Sequence, residues 1–293
     1  MKNLILIDFS WLYNRYYFVA KQNNTDTSIT NIPNIVTDML TQFLSIVGDK
    51  YSKAKVILAL DSPTTSLKNF EIYPEYKQNR DKEVKKEVYK EIDFIIARLV
   101  KSLDNKRFAF IKAKNYEADQ IIAYFVKKYK EESKIIIYSG DKDLLQLTYH
   151  KNVRVSNKFK DGRFILMSDE EIFEKFKNNK GENFTRVSEN KKDILKYRAL
   201  KGDSSDNLSP VFPRIKDKEI IQVIQDYWVD DQEEGLSNER IEKILEELVL
   251  DNPSLAEKLE ANKDIWLRNY QIMNLLNVGE IELRRLSCDK NNS

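Results

Sequence analysis

Residues 135–143 read Ile-Ile-Ile-Tyr-Ser-Gly-Asp-Lys-Asp, a short apolar run followed by two small residues and two acids. A similar order recurs at Leu4-Ile5-Leu6-Ile7-Asp8 and at Val56-Ile57-Leu58-Ala59-Leu60-Asp61. Short apolar runs bounded by turn residues indicate buried strands. In an open α/β sheet, ligands bind just outside the carboxyl ends of the strands. The three runs therefore predict acids that converge at one edge of a sheet.

Converging carboxylates repel one another unless cations lie between them, and hard divalent cations prefer oxygen ligands. The pattern therefore predicts a Mg²⁺ site and phosphoryl chemistry. The chain has one histidine, His150, and one cysteine, Cys288, which excludes a histidine-rich or thiolate zinc site and an internal disulfide framework. We interpret His150, between Tyr149 and Lys151, as a surface turn residue.

Composition narrows the class of protein further. The 293 residues are 33% charged with a net charge of +2, and no apolar run is long enough to span a bilayer. No signal-peptide pattern is present, and the single cysteine indicates a reducing cytoplasm. We also expect a monomer that does not bind a membrane. Basic residues cluster at 76–86 and 191–201. Each basic run is explained either by nucleic-acid binding or by a solvated helix face.

The order of elements predicts an α/β fold with a mostly parallel, twisted sheet flanked by helices. The region 153–166 predicts a hairpin around Asp161-Gly162. A boundary near residue 185 divides an α/β core, 1–185, from a helical part, 186–293, whose tail 289–293 we expect to be disordered. The predicted strands are 4–7, 56–60, 108–111 and 134–138, and the predicted late helices are 170–176, 192–201, 216–228, 240–250 and 266–276.

Three further acid motifs each allow a structural explanation beside a functional one. Glu117 and Asp119 share a site only if a helix begins there, and they would equally balance a helix dipole. Asp143 would equally cap the turn that follows it. The stretch Gly202-Asp203-Ser204-Ser205-Asp206-Asn207 fits either a tight metal loop or a capped helix start. Taken singly, these segments leave both explanations open.

Taken together, the segments resemble the 5′-nuclease family: flap endonucleases, the 5′-nuclease domain of bacterial DNA polymerase I, and phage ribonuclease H-type 5′-exonucleases. The resemblance covers about residues 4–220 and implies a PIN-like core with a helical arch at about 62–90. It further implies a helix-hairpin-helix in the helical part that binds duplex DNA. The matching motifs, in the family's order, are Ile7-Asp8 with Arg15; Leu60-Asp61; Tyr76-Lys77 with Arg80; Glu117-Ala118-Asp119; Ser139-Gly140-Asp141-Lys142-Asp143 with Gln146; and Lys201 to Asn207.

The resemblance implies a site for two Mg²⁺ or Mn²⁺ ions. Such a pair activates a water and stabilises the leaving 3′ oxygen during attack on a phosphodiester. By the resemblance, the first ion is faced directly or through water by Asp8, Asp61, Glu117, Asp119 and Asp141. The second ion is held, partly through bound water, by Asp143, Asp203 and Asp206.

The resemblance also implies contacts to the nucleic acid. Lys77 and Arg80 match the basic pair at the foot of the arch, where they would bind and polarise the scissile phosphate beside Asp141. Arg15 would contact phosphate, and Tyr76 would stack on a frayed base. The alternatives are solvated turn residues for the basic pair and packing against the core for Tyr76.

Two departures from the family pattern stand out. Gln120 replaces an acid in the Glu-Ala-Asp-Asp motif, which removes one negative charge and suggests weaker occupancy of one metal position. The turn 208–216 contains two prolines and no glycine, so we doubt its backbone phosphate cradle and the monovalent cation bound there. Arg214, Lys216 and Lys218 would then contact duplex DNA through their side chains. This turn is more similar to the phage ribonuclease H-type branch.

The preferred interpretation is a Mg²⁺-dependent, structure-selective 5′-nuclease that removes RNA primers and 5′ flaps during DNA replication and repair. Its partners would be branched, nicked or RNA-primed DNA with a 5′ end, and a replicative polymerase, clamp or single-strand-binding protein. A related metal-dependent ribonuclease is one alternative, although it would need neither the Lys77/Arg80 pair nor the 202–207 motif. A catalytically weakened flap-binding accessory protein is another, supported by Gln120 and the missing glycines but opposed by the retained acids.

Overall fold

The computed structural model describes residues 2–23, 31–62, 67–79, 82–104, 106–174, 191–229 and 235–286. Seven described strands form one sheet in the order β6-β5-β4-β1-β2-β3-β7. Strands β5, β4, β1, β2 and β3 are parallel, while β6 and β7 run antiparallel at the two edges. The strands are β1 (Lys2–Asp8), β2 (Lys55–Leu60), β3 (Phe108–Ala113), β4 (Ser133–Tyr138), β5 (Val153–Lys160), β6 (Arg163–Leu166) and β7 (Leu283–Leu286).

Helices cover both faces of the sheet, because the apolar side chains of β1 alternate between two cores. Leu4 and Leu6 pack with helix α5 and the C-terminal helices, whereas Ile5 and Ile7 pack with α1, α2 and α4. The helices are α1 (Phe9–Asn23), α2 (Ile32–Lys50), α3 (Leu67–Ile72), α4 (Lys82–Ser102), α5 (Ala118–Tyr129), α6 (Asp169–Glu174), α7 (Asp193–Lys201), α8 (Asp217–Gln222), α9 (Asn238–Asp251), α10 (Pro253–Glu260) and α11 (Lys263–Met273).

The central position of β1 fixes the location of the acids. Ile7 of β1 pairs with Tyr138 of β4, and Asp8 pairs with Ala59 of β2. The carboxyl ends of these three strands therefore lie side by side. This is the sheet edge at which the apolar runs predicted a convergence of acids.

The predicted sheet is confirmed, including the hairpin between β5 and β6. Asp161 and Gly162 form its two-residue turn with φ values of 52° and 73°, the geometry that favours this dipeptide. Three described elements were not predicted: α3, α10 and β7. Strand β7 is an edge strand that pairs with β3, and its sequence, Leu-Arg-Arg-Leu, lacks the apolar run that would predict a strand.

The proposed division into a core and a helical part stays a prediction, because its boundary near residue 185 lies outside the described residues. The tail 289–293 lies outside them too, as do parts of the predicted arch, 63–66 and 80–81. One hydrophobic cluster joins the sheet to the C-terminal helices, from Leu4 to Trp266. None of the helices in the described ranges is long and apolar enough to cross a membrane.

Candidate functional site

Three acids, Asp8, Asp61 and Asp141, follow β1, β2 and β4 and are named here the strand-end group. Asp8 caps α1, because its Oδ1 accepts a hydrogen bond from the Trp11 N–H at 3.0 Å. Asp61 Oδ1 accepts from the Ala118 N–H at 2.8 Å, at the start of α5. Backbone donors at two helix N-termini thus hold the acids at the end of the sheet.

A serine links two members of the strand-end group. The Ser139 hydroxyl donates to Asp8 Oδ2 at 2.9 Å and accepts from the Asp141 N–H at 3.0 Å. Burial, then the charges of Asp61 and Asp141, raise the pKa of Asp8 to about 7, although the hydrogen bonds from Trp11 and Ser139 lower it. Asp8 is 7% exposed, so water screens this repulsion weakly.

Gly140 is required at the exit of β4 by a close approach. A Cβ at this position would lie 2.5 Å from Nε1 of Trp11, whose ring packs edge-on against Tyr138. The small residue therefore lets the α1 indole lie over the turn that carries Asp141. This is the reason for the Ser-Gly-Asp order that the sequence shows at the strand exit.

The start of α5 places Glu117 and Asp119 in the site. Glu117 is the N-cap of α5, and its backbone N–H donates to Oε1 of Gln120 at 3.0 Å. Gln120, which stands where the Glu-Ala-Asp-Asp motif has its last acid, therefore caps the N-terminus of α5. Burial, then the charge of Glu117, raise the pKa of Asp119 well above its ordinary value, and Lys77 lowers it.

Lys77 lies against the acids. Its Nζ donates to both carboxylate oxygens of Glu117, at 2.7 and 2.8 Å, and lies 3.8 Å from Asp206 Oδ2. Lys77 has a φ of 56°, and its backbone N–H donates to the Asp206 carbonyl at 3.0 Å. The hydroxyl of Tyr76 donates to Glu117 Oε2 and Asp206 Oδ2 at 3.2 and 3.3 Å.

Arg198, on the last turn of α7, joins two more acids. Its Nε lies 2.6 Å from Oδ1 of Asp143, and its Nη2 lies 2.6 Å from Oδ2 of Asp203. Burial raises the pKa of Asp143 to about 7, with Arg198 opposing and Asp141 adding to the shift. Burial also raises the pKa of Asp203, but hydrogen bonds from Ser205 and the Arg198 guanidinium outweigh it and leave the pKa below its ordinary value.

Four acids are thus paired with Lys77 or Arg198 and are named here the bridged group: Glu117, Asp143, Asp203 and Asp206. The loop 203–208 that carries two of them is closed by backbone hydrogen bonds between Asp203 and Leu208, at 2.8 and 2.9 Å. Gly202, with φ at 71°, ends α7 just before it, where a Cβ would lie 2.5 Å from the Leu208 carbonyl oxygen. Asp203 also caps a short 3₁₀ turn, so the capping explanation and the clustering both hold.

The strand-end acids open into a cleft of about 900 Å³ whose walls include Asp8, Asp141, Arg198, Lys201 and Asp203. Within the described ranges, no three acids stand in a geometry that would ligate one ion. The donor set nevertheless fits a hard divalent cation, because it consists of carboxylates. Burial is the largest cause of the raised pKa values of Asp8 and Asp143, and the charge of Asp141 adds to both.

The structure brings all eight predicted acids together, whereas the predicted nucleic-acid contacts are scattered. Arg15 is exposed, lies over the Trp11 ring and donates to the Asn157 carbonyl at 2.9 Å. Tyr76 is 7% exposed and packs in a small cluster with Leu195, an environment without an open ring face for a base. Arg80 lies outside the described residues.

The turn after the 203–208 loop carries the remaining predicted contacts. Arg214, Lys216 and Lys218 are all exposed. Arg214 has a φ of 63°, so the turn contains a left-handed residue although it has no glycine. Arg198 is a site residue that sequence reasoning missed. It lies on a short helix that carries several basic residues, and nothing in that pattern indicates which acids it contacts.

Comparison with known proteins places this site in a family. Residues 3–177, more than half of the chain, match the family model described as the 5′-3′ exonuclease, N-terminal resolvase-like domain. The chain is 30% identical over 233 residues to a 5′-3′ exonuclease of Aquifex aeolicus, covering 78% of this chain and 70% of that one. It is 26% identical over 286 residues to DNA polymerase I of Bacillus subtilis, covering 96% of this chain but 29% of the polymerase.

The fold is also that of a solved structure, the bacteriophage T5 D15 protein co-crystallised with metal ions. The TM-score is 0.64 at 18% identity, and the match covers 94% of this chain and 90% of that one. At this identity the likeness concerns the fold, while the family model and the bacterial relative establish the family. The chain therefore belongs to the 5′-3′ exonuclease family and is a nuclease that acts on phosphodiester bonds.

Proposed function

We propose that the chain is a divalent-metal-dependent, structure-selective 5′-nuclease that removes 5′ flaps and RNA primers from DNA. One observation carries this proposal: eight acids from five segments converge beside a cleft at the carboxyl edge of the sheet. Eight carboxylates in one place require more positive charge than Lys77 and Arg198 supply. Phosphodiester hydrolysis without a histidine base fits a site of this kind.

The acids divide between two metal positions in this proposal. Mg²⁺ or Mn²⁺ ions, when bound, would lower the pKa of an attacking water and stabilise the leaving oxygen. A first position would be served by Asp8, Asp61, Glu117, Asp119 and Asp141, and a second, directly or through water, by Asp143, Asp203 and Asp206. Structures of the T5 enzyme are described with divalent zinc ions and, as a flap endonuclease, with DNA and metal ions.

Basic residues around the cleft would bind the nucleic acid. Arg15 is exposed over the Trp11 ring, which lines the cleft, and its charge would hold phosphates without reading sequence. Lys77, with Arg80 beyond the described residues, would polarise the scissile phosphate once metal ions take over the charge of Glu117. A degenerate helix-hairpin-helix between α7 and α8 would bind the duplex through Arg214, Lys216 and Lys218, without a resident monovalent cation.

The substrate and partners follow from the same proposal. Relatives include DNA polymerase I proteins, of which this chain spans only part of the length. A nuclease of this family that acts on nicked, branched or RNA-primed DNA would work beside a replicative polymerase, a clamp or a single-strand-binding protein. Within the family, the glycine-free turn 208–216 favours the phage ribonuclease H-type branch.

The test is cleavage of a 5′-labelled flap substrate and of an RNA-primed nick, each with Mg²⁺, Mn²⁺ or EDTA. The Asp141→Asn variant serves as the control, because it removes one strand-end charge and keeps the side-chain shape. Short 5′ products that require the metal and vanish in the variant are expected. Tight flap binding without cleavage at any metal concentration would instead favour the accessory-protein alternative, and metal-dependent cleavage of RNA alone would favour the ribonuclease.

A further inference from the structure

Arg198 contacts two acids that come from different segments of the chain. Asp143 begins the 3₁₀ helix Asp143–Tyr149 that follows β4, and Asp203 begins the loop after α7. The guanidinium reaches each with a separate nitrogen at 2.6 Å, and its side chain is 12% exposed. A planar fork can hold two carboxylates at once in fixed directions, whereas a lysine ammonium is a single point charge.

Asp203 is itself held from its other side. Its Oδ1 accepts hydrogen bonds from the Ser205 N–H at 2.8 Å and from the Ser205 hydroxyl at 2.6 Å. The backbone of Asp203 is paired with Leu208. Both carboxylate oxygens of Asp203 are therefore engaged, one by Ser205 and the other by Arg198. Such an acid is well placed to orient the guanidinium.

Asp143 is placed differently, with one carboxylate oxygen against Arg198. Its backbone N–H donates to Asp141 Oδ1 at 2.8 Å, which ties it to the strand-end group. Gln146, on the same 3₁₀ helix, donates to the Asp143 carbonyl at 2.8 Å and to the Met273 carbonyl at 3.0 Å. The backbone of Asp143 is thus fixed by the core, and its side chain forms an ion pair with Arg198 in which neither Asp143 Oδ1 nor Arg198 Nε has a hydrogen-bond partner among the described residues.

We propose that Arg198 is a positioning residue for metal binding: anchored on Asp203, it holds the Asp143 carboxylate in the orientation of a metal ligand. Asp203 then serves the second metal position through Arg198. The inference rests on the proposed function only in assigning Asp143 to a metal ion. Partners that orient a ligand in this way typically contribute 10- to 100-fold to metal affinity.

The experiment is a Mn²⁺ titration of the DNA-free protein, followed by electron paramagnetic resonance of the unbound ion. The variants are Arg198→Met, Arg198→Lys, Asp143→Asn and the double variant Asp143→Asn/Arg198→Met. Lys196→Met is the matched control, because Lys196 makes a similarly buried ion pair from the same helix, with Asp193 at 3.2 Å. Circular dichroism and thermal unfolding verify that each variant is folded.

We expect Arg198→Met to weaken the weaker class of Mn²⁺ sites about 10- to 100-fold. Arg198→Lys should give an intermediate loss, and Lys196→Met, whose ion pair lies outside the cleft, should bind Mn²⁺ as the unmodified protein does. In the Asp143→Asn background, Arg198→Met should cause no further loss, because the arginine acts through that acid. If Arg198→Met does not fold, the loss in Arg198→Lys carries the test.

Unchanged or tighter Mn²⁺ binding in folded Arg198→Met and Arg198→Lys would overturn the proposal, since the arginine would then be a competing counterion. A full additional loss in the double variant would also overturn it. These outcomes leave the proposed nuclease function standing if the protein binds Mn²⁺ and cleaves flaps. Absence of Mn²⁺ binding in the unmodified protein would instead overturn both.

Discussion

The strand-end group and the bridged group both consist of carboxylates, but the partners of these carboxylates differ. The carboxylates of Asp8, Asp61 and Asp141 accept hydrogen bonds from backbone N–H groups, and Asp8 also accepts one from the Ser139 hydroxyl. Within the described part of the chain they form no ion pair. The bridged acids have Lys77 and Arg198 between them. The first group therefore has no ion-paired cation in the described part of the chain, whereas the second has two cations for its four carboxylates.

This difference shows how the fold holds these seven acids in one place; the eighth acid, Asp119, belongs to neither group. The strand-end acids lie at fixed positions at the edge of the sheet, and their negative charge is available to a bound cation. Their burial and mutual repulsion raise the pKa of Asp8. The 67–79 segment carries Lys77 and α7 carries Arg198, so both segments can pack against the acids at the edge of the sheet. Four measurements test this difference.

The largest effect is expected when the two groups are compared by activity. Asp8→Asn should lower single-turnover flap cleavage about 10³-fold, because the metal ions supply several kcal/mol of transition-state stabilisation. Asp203→Asn should lower it only about tenfold, because Ser205 and Arg198 engage its oxygens. Equal losses at saturating metal would contradict the distinction between the groups.

The pH dependence of stability is the second test. The pKa of Asp8 is about 7 in the folded protein and 3.8 in the ordinary state, so the folded state binds the extra proton between these values. The contribution of Asp8 to stability is complete below pH 4 and is lost as the pH rises through 7, by about 4 kcal/mol at most. Asp143 shifts in the same direction.

Urea unfolding in EDTA between pH 4.5 and 8 measures most of this loss, because the range starts just above the ordinary pKa of 3.8 and spans the folded-state pKa of about 7. Added Mg²⁺ or Mn²⁺ should restore the stability at high pH, and Asp8→Asn should flatten the profile. A metal-free profile that rises steadily with pH in this window would show that the strand-end charge is compensated within the protein.

The third test removes an internal cation. Lys77→Met should destabilise the metal-free protein by about 3 kcal/mol, because Glu117 is 5% exposed and would lose its partner. Adding Glu117→Gln should recover most of the loss. Lys201→Met, which breaks a more exposed pair, should cost less than about 1 kcal/mol in the same urea experiment. Equal costs for the two lysines would show that the bridged group needs no internal cation.

The smallest effect is expected at Gln120. Gln120→Ala should destabilise by about 1 kcal/mol, because the Glu117 N–H loses its acceptor at the start of α5. Gln120→Asp tests the idea that the amide weakens one metal position. It should lower the Mg²⁺ midpoint of flap cleavage, and an unchanged midpoint would leave Gln120 with its capping role alone.

Sequence reasoning reached the sheet and the acids for local reasons. Apolar runs before Asp8, Asp61 and Asp141 report buried strands, and the carboxyl ends of parallel strands meet at one edge. The Asp161-Gly162 turn was equally visible, because positive φ values select that dipeptide. Short elements whose partners lie far away were missed, as with β7, which is defined by its pairing with β3.

Which side chains stand at the ends of the strands can be read from the sequence, because strand period and turn chemistry are local properties. Which charges neutralise them is set by the tertiary fold. Lys77 and Glu117 lie 40 residues apart in the chain, and Arg198 and Asp143 belong to two different elements, α7 and the 3₁₀ helix that follows β4. Such pairings depend on where α7 and the 67–79 segment pack against the sheet, and residue spacing carries no record of that packing.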